Sequence, residues 1–202
     1  MKDVIIIGTG GHAKVVADIV LSSGDNLLGF LSSDRSRDSF LGRPVLGNDS
    51  DYQKFPNCSF VIAIGSQQAR ERIAEAMPDA DWYTAIHPRA VISSLDVEIG
   101  VGTTIMANAV VNPCARIGRH CIINSAAVVE HDNVVADFAH ISVGVKLAGG
   151  VAVGQRCFVG VGAAACNGVS ICSDCTIGAG AVVTQDLKEP GTYVGVPARK
   201  IK

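Results

Sequence analysis

The stretch "EIGVGTTIMANAVVNPCARIGRHCIINSAAVVEHDNVVADFAHISVGVKLAGGVAVG", Glu98–Gly154, decides the fold. Stepping by six from Ile99 meets Ile105, Val111, Ile117, Ile123, Val129 and Val135, and the series runs on to Val183. Of its fifteen positions, fourteen are Ile, Val or Leu, and Ala165 is the exception. Four residues after each comes a small or modest side chain, as at Ala109, Ala115, Cys121, Ala127 and Asn133. A register held over roughly 85 residues is the mark of a repeat architecture. The pattern describes a coil with flat sides. A branched aliphatic points into the lumen, and the small residue four later fits the tight corner. Three hexapeptides close one triangular coil, so residues 18 apart stack and each coil bonds only to its neighbours. About five coils fit between Ile99 and Val183, with roughly one partial coil before them. The period leaves the handedness open, although parallel crossovers are normally right-handed.

Upstream the periodicity changes. "DVIIIG" (Asp3–Gly8), "LLGFL" (Leu27–Leu31) and "SFVIAIG" (Ser59–Gly65) read as buried strands. Val15, Val16, Ile19 and Val20 share one helical face, and Ser22, Ser23 and Gly24 end that helix. "QQARERIAEAM" (Gln67–Met77) reads as a second helix. Strands alternating with helices predict a small parallel sheet. The expected organisation is an α/β Rossmann-like half-domain over residues 1–80, a β-helix of hexapeptide repeats over 81–188, and a tail over 189–202.

The formal charge of −2 argues against a nucleic-acid partner. No uninterrupted apolar run is long enough to predict a membrane span. The N-terminus lacks the h-region of a signal peptide, so seven reduced cysteines in a cytoplasmic protein are expected. Cys172 and Cys175 form a C-x-x-C, but their different phases in the hexad predict that they point differently. Packing accounts for Cys121, Cys157 and Cys175 at the small fifth position, so no metal is expected.

Two motifs carry chemistry. "GTGGHAK" (Gly8–Lys14) lies between a strand and a helix, where backbone N–H groups and the helix dipole favour phosphate. It is half of a dinucleotide fingerprint, with Ala13 at the third glycine position. The repeats begin before a second mononucleotide half could fit, so a sugar nucleotide suits it better than NAD. The second motif is Glu130-His131-Asp132. In hexad phase Val129 is inward and Asn133 is the small residue, so the triplet fills the three positions between corners. His131 therefore projects outward. A histidine is suited to taking a proton at neutral pH, and an adjacent carboxylate orients the ring. Asp132 and Glu130 both qualify as that carboxylate, and a solvated loop histidine is the bland alternative.

The chain resembles the left-handed β-helix acyltransferases. Among these it more closely resembles the bacterial sialic acid O-acetyltransferases and nucleotide-linked aminosugar N-acetyltransferases. The resemblance rests on "IIIGTGGHAKVVAD", "FVIAIGS", "NSAAVVEHD", "AHISVGVKLAGGVAVG" and "YVGVPARKI", and covers nearly the whole chain. It implies acetyl-CoA as donor and a homotrimer with the cofactor in clefts between subunits. It also implies a nucleotide-sugar acceptor, such as a UDP-linked 4-amino-4,6-dideoxysugar, on the N-terminal domain. It places the general base at His131 and its supporting acid at Asp132, where some relatives carry Glu. It implies acetyl-CoA contacts at His140, Val161, Gly178 and Ala179, and an oxyanion-stabilising N–H at Gly149. It assigns the pyrophosphate or sugar to Gly10, Gly11 and His12, and the nucleotide to Gly65 and the residues after the second strand. The aminosugar transferases have two aspartates there, whereas this chain has Ser32 and Ser33 with Asp34 third. Sialic acid O-acetylation and a non-catalytic sugar-nucleotide-binding module are the alternatives. Hexapeptide β-helices also include zinc carbonic anhydrases, but His120, His131 and His140 lack their ligand spacing.

Overall fold

The computed structural model describes residues 1–34 and 36–202. The N-terminal region comprises β1 (Asp3–Ile7), α1 (Gly11–Ser22), β2 (Asn26–Leu31), β3 (Ser39–Phe40), β4 (Arg43–Gly47), a 3-10 helix (Asp49–Lys54), β5 (Ser59–Ile62), α2 (Gln67–Ala76) and β6 (Asp81–Trp82). The sheet order is β3-β4-β2-β1-β5-β6, parallel except for the β3–β4 hairpin. The continuous apolar run of β1 fits a strand buried on both faces. One face packs on α1 and the other on α2 and the 3-10 helix.

From Ala85 the chain winds into a three-sided parallel β-helix. The strand at Ala85–Ile86 starts the first face, Val91–Ile92 the second and Glu98–Ile99 the third. Register advances by 18 residues per coil, as in Arg116↔Val134 and Val128↔Lys146. The first coil differs. Ile86 pairs with Ile105 and Ile92 with Val111, a step of 19, whereas Ile99 pairs with Ile117. One extra residue lies between Ile92 and Ile99, which is why the six-residue count cannot be extended upstream of Ile99. At the other end Gly191–Val194 continues the first face, and Arg199–Lys200 closes it antiparallel.

The corners are set one residue earlier than the sequence suggests. Every sixth residue from Asp96 to Gly180 has φ between 51° and 71°. Nine of these fifteen left-handed residues are not glycine, including Asn108, His120, Asp132 and Phe138. The small fifth residue follows the corner and points into the lumen, where Ala127, Asn133 and Ala139 are fully buried. Asp132 therefore does not lie between corners: it is a corner. Asp and Asn tolerate this conformation better than most side chains.

The two regions share their cores. Met106 and Ile122 of the β-helix join the α1 cluster, and Phe138 joins the α2 cluster. Arg70 of α2 crosses the junction with only 1% of its surface exposed. Its guanidinium donates to the carbonyls of Ile64 (3.1 Å), Gly65 (2.8 Å), His120 (2.9 Å), Phe138 (2.5 Å) and Ala139 (3.3 Å). Among the described residues no carboxylate is its partner, and burial lowers its pKa to about 10. Glu71 adds an ion pair to Arg156 at 2.8 Å. Removing a buried, fully hydrogen-bonded cation strands its acceptors. Arg70→Ala should therefore destabilise the fold by about 3–5 kcal/mol. Urea unfolding of the variant checks this, and an unchanged midpoint would show that the carbonyl cluster is not structural.

Candidate active site

His131 and Asp132 form the two-residue turn between the second and third faces. The Asp132 carboxylate lies 2.7 Å from His131 Nδ1. A carboxylate only accepts, so Nδ1 carries the proton and Nε2 presents its lone pair. Glu130 instead accepts from the His131 backbone N–H at 3.2 Å. The choice the sequence left open is thus resolved: Asp132 holds the ring. The bond to Asp132 raises the His131 pKa above its ordinary value, with the charges of Asp132 and Glu130 acting in the same direction.

Gly149, one coil on, lies under this ring. A Cβ there would stand 2.5 Å from Nε2 and 2.6 Å from Cε1 of His131. The Gly150 N–H donates to the His131 carbonyl at 2.9 Å, tying the two coils together. The Gly149 N–H has no hydrogen-bond partner among the described residues.

A groove of about 420 Å³ runs along the second face beside Glu130, lined by Val128, Lys146, Leu147 and Ala164. Across it is the corner between the first and second faces, where residues 18 apart stack. The Gly162 N–H donates to Val143 O, and the Gly180 N–H to Val161 O, both at 2.9 Å. Val143 and Val161 are exposed there, and Ala179 follows them in the stack with Gly178 beside it. The structure therefore brings Val161, Gly178 and Ala179 onto one edge, and His131 with Gly149 onto the opposite edge of the same face.

His140 belongs elsewhere. It sits on the first face under the N-terminal region, with Nδ1 3.4 Å from Gly65 O and Nε2 3.2 Å from the Asn124 amide nitrogen. Its ring meets Phe158 edge-on at 5.1 Å and lies 6.4 Å from that of His12. A cavity of about 460 Å³ opens at the tips of β1, β2 and β5. Gly10, Gly11, His12, Ser32, Ser33 and Gly65 all line it. The Thr9 and Ser32 hydroxyls are hydrogen-bonded at 3.1 Å. Gly10 caps α1 without a side-chain hydrogen bond, leaving the first N–H groups facing the cavity mouth. Sequence reasoning missed Arg70, Asp49 and Arg72, the last two being cavity-wall residues. The C-x-x-C expectation is corrected: Cys172 and Cys175 face one another, with sulfurs 3.5 Å apart. The turn at Ser173 and Asp174 brings the two phases together.

Residues 3–77 match the PglD N-terminal domain model, and residues 150–185 match the hexapeptide repeat of succinyl-transferase. Perosamine N-acetyltransferase from Caulobacter crescentus, solved with CoA and GDP-perosamine, is 36% identical over 100% of this chain and 98% of that chain, with TM-score 0.94. This chain belongs to the family of left-handed β-helix nucleotide-aminosugar N-acetyltransferases. A second member, the acetyltransferase domain of PglB from Neisseria gonorrhoeae with acetyl coenzyme A, is 33% identical over 99% of both chains, with TM-score 0.93. UDP-N-acetylbacillosamine N-acetyltransferase of Bacillus subtilis is 36% identical over 115 residues, so the match spans about half (52%) of that curated relative. Among the described residues, no helix is long and apolar enough to cross a membrane.

Within this family member, three histidines, half-buried His12 and buried His120 and His140, gather near Arg70. Burial, with the charge of Arg70, lowers His12, His120 and His140 each to about 4, and Arg119 adds to this at His120. The unfolded chain titrates them near about 6.5. Between those values the unfolded state holds more protons, so stability is lost as pH falls from about 6.5 toward 4. Each histidine contributes up to about 2 kcal/mol of that loss at pH 5. Urea midpoints at pH 7.5 and pH 5 check this: the midpoint should drop at pH 5, and an equal or higher one would contradict neutral burial.

Proposed function

We propose that this chain transfers the acetyl group of acetyl-CoA to the 4-amino group of a nucleotide-linked 4-amino-4,6-dideoxysugar, UDP- or GDP-linked, in the cytoplasm. The observation that carries the reading is the His131–Asp132 pair: a proton-bearing Nδ1 locked on a carboxylate, and Nε2 facing space kept open by Gly149. His131 Nε2 takes the proton of the amine as the new C–N bond forms at the thioester carbon, and the C–S bond then breaks to release CoA as the thiol, protonated by the proton that His131 took. The unpartnered Gly149 N–H is suited to the developing oxyanion. No covalent enzyme intermediate is required, because positioning and base catalysis supply the acceleration. The pantetheine arm suits the apolar groove between the Val161–Ala179 edge and the His131 edge. The acceptor suits the cavity of Gly10, Gly11, His12, Ser32, Ser33 and Gly65.

The working form on this reading is a homotrimer. In a triangular coil, the corner bearing His131 is opposite the first face, on which the N-terminal region sits. Base and acceptor cavity of one chain thus point away from each other, and a neighbouring copy supplies the missing half. His140 lies behind the acceptor cavity, against Gly65 and near His12, rather than on the Val161–Ala179 edge. Sialic acid O-acetylation remains the alternative acceptor chemistry for this site.

CoA release measured against UDP-, GDP- and dTDP-4-aminosugars and free sialic acid tests the reading. Turnover with an amino sugar nucleotide is expected, and reaction with sialic acid alone would overturn it. His131→Ala should cut kcat by roughly two to four orders of magnitude. The acidic limb of the kcat/KM profile should lie above the ordinary histidine value, because the bond to Asp132 raises the pKa. Asp132→Asn should move that limb to lower pH and reduce the plateau. A limb that stays in place would mean that Asp132 does not hold the base.

A further inference from the structure

The acceptor cavity contains two charged side chains with no role so far, Asp49 and Arg72. In a mononucleotide-binding half-sheet, an acid after the second strand takes a ribose hydroxyl. This chain has Ser32 and Ser33 there. Asp34 is no substitute: its carboxylate accepts from the Ser36 N–H at 2.9 Å, and it is not in the cavity wall.

The chain supplies a carboxylate by another route. β4 runs parallel to β2, with Leu31 beside Gly47, and the Ser32 N–H donates to Gly47 O at 2.9 Å. The residues after Gly47 therefore arrive level with Ser32 and Ser33. Asp51 is spent locally: it accepts from the Asn48 N–H at 2.9 Å and pairs with Lys54 at 2.7 Å. The Asp49 carboxylate makes no hydrogen bond or ion pair with any described residue, and it lines the cavity.

Arg72 is the complementary group. It is exposed on α2, pairs with no carboxylate among the described residues, and lines the same cavity as Gly10 and Gly11 at the start of α1. A guanidinium beside unpaired backbone N–H groups is suited to phosphate oxygens. The opposite charges of Asp49 and Arg72 do not pair with each other, which fits a ligand with donors at one end and anionic oxygens at the other.

We propose that Asp49 and Arg72 are the anchors of the nucleoside diphosphate. Asp49 accepts from the ribose hydroxyls, and Arg72 pairs with the diphosphate. The assignment rests on the acceptor reading above and adds the residues that would set ribose and phosphate recognition.

Calorimetric titration of the intact protein with UDP, GDP and their 2′-deoxy forms tests it. Wild type should prefer a ribonucleoside diphosphate to its deoxy form. Asp49→Asn, which keeps the side-chain shape, should weaken the ribo form about tenfold and bring the two forms to nearly equal affinity. Arg72→Gln should weaken both forms about tenfold and flatten the dependence on salt, and Arg72→Lys should recover part of the loss. An unchanged ribo-to-deoxy ratio in Asp49→Asn overturns the role of Asp49, and unchanged affinity in Arg72→Gln overturns that of Arg72. A wild-type chain that binds no nucleoside diphosphate overturns the acceptor reading itself, which separates the two failures.

Discussion

The left-handed corner at every sixth residue is the constraint on which the rest depends. It turns the chain through each angle of the triangle, so inward aliphatics stack at intervals of 18 residues and each coil bonds to the next. Non-glycine residues occupy most of these corners, each at a cost of about 1 kcal/mol or more. The lumen of buried Val, Ile, Leu and Ala offsets that cost. The same constraint fixes the chemistry. Asp132 is a corner residue, and its strained backbone aims its carboxylate back at the preceding histidine. The base is thus preorganised by the fold rather than by a dedicated loop.

Arg70 is the second organising group. It ties the turn after β5 to two successive coils through carbonyl oxygens alone. That contact holds Gly65, a residue of the cavity wall, against His140 on the first face. Because its partners are dipoles, Arg70 keeps its positive charge uncompensated. That charge helps hold His12 and His140 neutral. The junction is therefore stiff near neutral pH and vulnerable to acid.

Much of this was legible in the sequence. The inward series from Ile99 to Val183 is a direct imprint of the lumen, because only the inward position demands a branched aliphatic. The glycine turn and the E-H-D triplet were visible because their residue types are rare in such company. Three things were not legible. The extra residue between Ile92 and Ile99 hides the first coil, since a count of six slips there. The corner position was misplaced because left-handed backbone leaves no single residue type behind: Asp, Asn, Cys, His, Ala, Phe and Arg all occupy it. Arg70 and Arg72 are two apart on one polar helix, so sequence cannot say which is buried. Two residues along a helix is about 200° of rotation, which sends one into the junction and the other to the cavity.

On the proposed reading, the base of one copy serves the acceptor cavity of another, and subunit mixing puts this to the test. His131→Ala lacks the base, and Gly10→Trp fills the cavity at a position with open space around it. Each alone should be nearly inactive in CoA release with an aminosugar nucleotide. Co-expressed, the two should assemble trimers with one intact shared site and recover a substantial fraction of wild-type turnover. Mixed trimers, isolated by distinct affinity tags, that stay as inactive as their parents would contradict the claim.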